Sequence, residues 1–158
     1  YGTLYFRQLF FLKLLQNDRS FIHSACASIK NHAFLLAAFP DTGKSSTVLS
    51  IVKECENAEY LSDDLTIIDR NGNVYCYPIP ITMSSKVIGV IDKKEIGSRH
   101  MLKFKFCSFL QRYLITNYLS SRLFKFPPKA YIWDVLKNVK IARKSKISAV
   151  CYWNLKKR

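Results

Sequence analysis

The residues here whose types and spacing could do chemistry are a glycine-lysine-serine run, two adjacent aspartates and one histidine. Gly43-Lys44-Ser45 closes the stretch Ala38-Phe39-Pro40-Asp41-Thr42-Gly43-Lys44-Ser45. Before it runs an apolar segment of strand length, Ala33 to Phe39, and after it comes helix-compatible sequence from Lys44 through Lys53. A helix that begins at such a loop presents unpaired backbone N–H groups to an anion, and its dipole adds to the attraction. Lys44 can reach the β- and γ-phosphates of a nucleoside triphosphate, and the Ser45 hydroxyl can ligate Mg²⁺. Gly43 lets the backbone approach a ligand without a Cβ in the way. Asp41, Thr42 and Ser46 complete the expected phosphate-binding set. The full pattern G-x-x-x-x-G-K-[ST] has Gly where this chain has Ala38, a departure that could restrict the loop. The plain alternative is a helix N-terminus carrying an exposed lysine.

Asp63-Asp64 follows Lys44 by 19 and 20 residues. That is about the length a helix and a return strand need, so a βαβ-like unit brings the pair back beside the loop. One carboxylate there can hold Mg²⁺ directly or through water. Two adjacent carboxylates also raise each other's proton affinity, which suits one of them to proton abstraction. An ordinary turn or helix cap is the competing reading of Ser-Asp-Asp. His23 sits in a strand candidate just before the loop strand, and a turn at Asn31-His32 would fold it towards Ser45. His32 and His100 are read as structural.

With these residues in view, the stretch from His23 to Ile68 resembles the catalytic core of the HPr kinase/phosphorylase family. The matching residues are Phe21-Ile22-His23-Ser24-Ala25, Phe34-Leu35-Leu36, Thr42-Gly43-Lys44-Ser45-Ser46-Thr47 and Leu61-Ser62-Asp63-Asp64. The phosphate-loop domain of that family is related to that of phosphoenolpyruvate carboxykinase. The resemblance implies ATP and Mg²⁺ as cofactors, with Lys44 on the phosphates and Ser45 and Asp63 on the metal side. It implies Asp64 as catalytic base with His23 in support. A further metal-binding acid of the family has only Asp92 and Glu95 as candidates here, and the segment that engages the HPr protein has no match.

The elements that must position these groups read as α/β, a mixed sheet with flanking helices. Thr3 to Leu15 is expected to be helical, stopping at Gln16-Asn17-Asp18, and Phe21 to Ile29 to be one alternating strand. Leu61 to Ile68 is a short strand candidate, Arg70-Asn71-Gly72-Asn73 a turn, and Val74 to Tyr77 a strand ended by Pro78 and Pro80. Phe104 to Phe126 and Ala130 to Val139 are expected as helices, and Ile147 to Leu155 as a final strand. A single domain over residues 1–158 is expected. The chain opens on Tyr1 rather than Met, so a fragment or trimmed product is expected.

Composition narrows the function classes. The chain is 49% hydrophobic and 14% aromatic, which argues strongly against a disordered chain. Its net charge of +14 is uneven: residues 1–102 hold 11 basic and 10 acidic residues, while 103–158 hold 14 basic residues and only Asp134 as an acid. Such asymmetry marks either a solvated basic face or an anionic partner, whether nucleic acid, membrane surface or acidic protein. Cys26, Cys55, Cys76, Cys107 and Cys151 are dispersed without metal spacing, so reduced thiols and a cytoplasmic setting are expected. No stretch is apolar for long enough to span a membrane.

Three functions compete. A kinase-like enzyme would transfer phosphate from a nucleoside triphosphate to a hydroxyl of a protein serine or a small molecule. The basic half could then recruit an acidic acceptor, and a homo-oligomer is compatible with that reading. The second is a nucleotide-binding regulatory module without robust catalysis. The third is a basic nucleic-acid-binding domain stacking bases on Tyr113, Tyr118, Tyr131 and Trp133.

Overall fold

The computed structural model describes residues 2–39, 42–91, 101–102, 105–106, 129–136 and 138–153. The chain divides into two compact units, Tyr1–Ile79 with Lys140–Arg158, and Pro80–Val139. The first unit carries a seven-stranded sheet in the order β1-β5-β6-β9-β3-β2-β4. Its strands are β1 (Arg19–Ile22), β2 (Ala25–Ile29), β3 (His32–Ala38), β4 (Ala58–Ser62), β5 (Thr66–Asp69), β6 (Asn73–Tyr75) and β9 (Lys144–Trp153). Two helices flank it: α1 (Gly2–Gln16), which packs on β1, and α2 (Lys44–Glu54), which packs on β2, β3 and β4. All strand pairs are antiparallel except β3 with β9. The class is mixed α/β with a mostly antiparallel sheet and flanking helices.

The turns explain much of this register. Lys30 and Asn31 both take positive φ, 50° and 65°, and form a two-residue hairpin of the primed type, whose twist matches the strands it joins. The tight turn is therefore Lys30-Asn31, one residue earlier than the sequence suggests. At the β5–β6 turn, Asp69 Oδ1 accepts from the Asn71 and Asn73 backbone N–H groups while Gly72 takes φ 70°. These bonds occupy donors that a bare turn would leave unpaired.

Two expected strands are each split. Phe21 to Ile29 breaks at His23-Ser24, where the Ser24 N–H turns back to the Ile22 carbonyl at 3.0 Å, giving β1 and β2. Leu61 to Ile68 breaks at Asp63-Asp64-Leu65, giving β4 and β5. Alternation of residue types runs through the first break, but the chain needs corners at both so that β1 can pair with β5.

Cys26, Ala33, Leu35, Leu61, Val74 and Ala142 form a buried cluster, with Ile22, Ile68, Cys76 and Ile147 packed against it. Isolated bridges join edge strand β4 to the chain beyond β6 (Ser62 with Tyr77) and before β9 (Tyr60 with Ile141). Pairing that edge removes backbone groups that would otherwise invite another chain.

The second unit holds the hairpin β7 (Ile81–Thr82) with β8 (Lys129–Ala130), helix α3 (Ser85–Val90) and helix α4 (Ile132–Val135). Ser84 caps α3 by accepting from the Val87 N–H. The expected helix over Ala130 to Val139 is the shorter α4, since Lys129–Ala130 is drawn into the hairpin. The helix expected over 104–126 lies almost wholly outside the described residues.

Candidate active site

Strand β3 delivers the loop, and α2 starts where the loop ends. Gly43 caps α2 with φ 99°, a left-handed conformation that only glycine adopts at low cost, and no side chain caps the helix. The amides of the first turn therefore lack a capping side chain, the arrangement that favours an anion. The Ser46 and Thr47 hydroxyls instead donate to the Gly43 carbonyl at 2.8 and 3.0 Å, pinning the loop to the helix. Thr42 Oγ1 donates to the Phe39 carbonyl at 2.7 Å and braces the other side. Ala38 is the last residue of β3 and is not among the positive-φ residues, so no glycine-only backbone is demanded there. Asp41 lies outside the described residues.

Lys44 is buried, only 8% exposed, despite its charge. Its ammonium donates to the carbonyls of Ala38 (2.6 Å) and Phe39 (3.2 Å), and it lies 3.4 Å from His23 Nε2. A buried ammonium is tolerated only with such partners. His23 is exposed and reaches this point because the β2–β3 register pairs Ala25 with Leu36, which sets the residues before Ala25 against the end of β3.

The return strand brings the acids. β3 and β4 are both antiparallel to β2, so they run parallel to each other with β2 between them. This is a crossover through α2 with a hairpin strand inserted. Asp63, at the end of β4, is 2% exposed and accepts from Ser45 Oγ at 2.7 Å. Burial is the largest influence on its carboxyl and pushes its pKa up to about 6, helped by the Asp64 charge and opposed by the Ser45 hydrogen bond. Asp64 is exposed and held in the left-handed region at φ 61°, while the Leu65 N–H closes back to the Asp63 carbonyl at 2.7 Å. Strained backbone of this kind concentrates at functional corners.

Beneath the corner lies a set of residues that the sequence reading passed over. Thr66 Oγ1 donates to the Ser24 carbonyl at 2.9 Å and lies 2.8 Å from Ser24 Oγ and 2.6 Å from Ser62 Oγ, all three side chains fully buried. Ser24 follows His23 and Ser62 precedes Asp63, so this hydroxyl chain fastens the two segments that carry site residues. The one available signal was a small hydroxyl residue flanking each of them.

The hydroxyl of Ser45 and the carboxylate of Asp63 are hard oxygen donors 2.7 Å apart, which suits Mg²⁺. Among the described residues no three His, Cys, Asp or Glu side chains group to hold a metal. A magnesium ion there would take its remaining ligands from substrate phosphate and water, as is usual for this ion. Asp92, Glu95 and His100 lie outside the described residues. His32 is at the opposite end of β3, with Nδ1 2.8 Å from Ser148 Oγ. Of the aromatics read as a stacking platform, Tyr113 and Tyr118 lie outside the described residues, whereas Tyr131 and Trp133 stack on each other at 4.6 Å in the second unit. Among the described residues no helix is long and apolar enough to cross a membrane, and Cys26, Cys55, Cys76 and Cys151 are free thiols. No family model matches the chain, and no curated protein matches it.

Proposed function

We propose that this chain binds a nucleoside triphosphate with Mg²⁺ at the Thr42–Ser46 loop and is a phosphotransferase of the HPr kinase/phosphorylase-like type. The observation that carries the reading is the pair of contacts at the start of α2: Lys44 buried against the loop carbonyls, and Ser45 bonded to Asp63. A hydroxyl and a carboxylate meeting beside a phosphate-loop lysine are the protein groups that hold Mg²⁺ in this class of site. When bound, Mg²⁺ supplies positive charge against the β- and γ-phosphates.

The rest follows from the chain's own groups. Lys44 and the first-turn amides of α2 neutralise charge on the transferring phosphoryl group. Asp64, exposed beside buried Asp63, accepts the proton of the attacking hydroxyl. His23, against the Lys44 ammonium, supports the site from the lysine side. The acceptor is a protein serine or a small-molecule hydroxyl, in a cytoplasmic setting. A regulatory nucleotide-binding module without turnover is the alternative, favoured by the absence of a third metal-binding acid among the described residues.

Calorimetric binding of ATP and ADP, with and without Mg²⁺, tests the reading. Binding that strengthens with Mg²⁺ and falls roughly 100-fold or more in Lys44→Ala is expected. Failure of the unmodified, folded chain to bind either nucleotide would sink it.

A further inference from the structure

The first unit carries a second surface that the phosphate loop does not use. Helix α1 lies on the sheet through Phe10 and Phe11, whose rings meet Phe21 at 5.9 and 6.2 Å, and Phe10 also stacks on Tyr77 at 6.0 Å. Away from the sheet, Tyr5, Phe6, Leu9, Leu12 and Leu15 are 47–76% exposed, with Gln8, Lys13 and Gln16 exposed among them. Five such side chains on one helix exceed the scattered exposure normal for a surface. The helix contains Arg7 and Lys13 and no acid.

A row of cations continues that surface. Phe21, Ile67, Tyr75 and Lys144 are successive cross-strand partners, so they share one sheet face, with Phe21 under α1. Arg19, two residues before Phe21, is on the same face; its guanidinium lies 4.2 Å from the Tyr75 ring centre, and the Lys144 ammonium lies 5.4 Å from it. Neither cation has a carboxylate partner among the described residues. Asp69, opposite Arg19, is taken up by Asn71, Asn73 and Tyr75 of its own turn.

We propose that α1 and the Arg19–Tyr75–Lys144 row form a peripheral docking surface for an anionic lipid bilayer. Apolar side chains that enter the interface and cations that meet anionic headgroups are the two terms of interfacial binding, and here they adjoin. A nucleic acid would use the cations but leave Phe6 and Leu9 in water. A second copy would bury the apolar side chains but bring together two chains of net charge +14. None of these residues belongs to the phosphate loop or shares the hydrogen bonds of Lys44, Ser45 and Asp63, so lipid binding is tested without nucleotide and stands or falls apart from the proposed activity.

Vesicle flotation of the full chain tests this, using phosphatidylcholine alone and phosphatidylcholine with about 30% phosphatidylglycerol, at low and high salt. Binding to the anionic vesicles is expected to be roughly tenfold or more tighter than to neutral ones and to weaken with salt. The double variant Arg19→Gln/Lys144→Gln should lose about 30-fold in affinity for the anionic vesicles. Phe6→Gln/Leu9→Gln should lose roughly tenfold or more on the same vesicles. Circular dichroism checks that each variant folds; if the charge pair does not, Lys144→Gln alone should lose about fivefold. Three results would overturn the proposal. They are no association of the folded chain with anionic vesicles, association indifferent to Phe6→Gln/Leu9→Gln, and self-association abolished by that variant in a chain that ignores vesicles.

Discussion

Lys44 and Asp63 at the end of β3 and β4 contrast with Arg19 and Lys144 on the α1 side of the same unit. The first pair is buried and each member is held by named partners, the loop carbonyls for Lys44 and the Ser45 hydroxyl for Asp63. The second pair lies over one tyrosine ring and has no carboxylate among the described residues. Burying a charge costs enough that only specific local partners can hold it there. A buried charge therefore reports a built site, whereas an exposed one reports a field whose partner lies outside the molecule.

The sharpest way to break this contrast is at the proposed catalytic corner. Asp64→Asn is expected to leave nucleotide affinity within about twofold while cutting phosphoryl transfer by roughly 100-fold or more, read by single-turnover transfer from labelled ATP. Equal loss of binding and turnover would make Asp64 part of the nucleotide site instead of the base. Next in size is Thr66→Val, which removes the common partner of the Ser24 and Ser62 hydroxyls in the core. A loss of about 2–3 kcal/mol in denaturant unfolding is expected, largely restored by Thr66→Ser. A neutral Thr66→Val would mean that the hydroxyl chain does not fasten the corner.

Gly43→Ala probes the loop backbone. At φ 99° an added Cβ is strained and would sit 3.3 Å from Ser46 Oγ, so about 1–2 kcal/mol of stability should be lost, together with nucleotide affinity. The smallest effect concerns the acid at the β5–β6 turn. Hydrogen bonds from the Asn73 side chain and backbone, then from Tyr75 and Asn71, hold the Asp69 carboxyl well below the usual carboxylate range. Its folded-state pKa is depressed, so its contribution is complete above the unfolded value near 4 and is lost as pH falls below it. Asp69→Asn should therefore be less stable than the unmodified chain at neutral pH and should show a shallower fall below about pH 4, measured by thermal melting.

The split strands show where pattern reading stops. Residue alternation from Phe21 to Ile29 is continuous, and nothing in it marks the reversal at His23-Ser24. That corner exists because β1 pairs with β5, whose residues lie 44 to 50 positions further along the chain (Ile22 with Thr66, Arg19 with Asp69), while β2 turns back onto its neighbour β3. The same holds at Asp63-Asp64, where the pair was legible as chemistry but its left-handed corner was not.

Sequence alone determined the local matters: the apolar strand before the loop, helix α2 from Lys44, the Asn71-Gly72 turn and the mixed α/β class. Each depends on propensities and periodicities within about a dozen residues. Tertiary structure decided the rest. It set Lys44 in a buried cradle in place of an exposed helix start, put β2 between β3 and β4, joined Ser24, Ser62 and Thr66, and left Phe6 and Leu9 of α1 exposed. These outcomes depend on which distant strands pair and which faces they cover, and burial and hydrogen-bond partners are properties of the packed sheet that no short window contains.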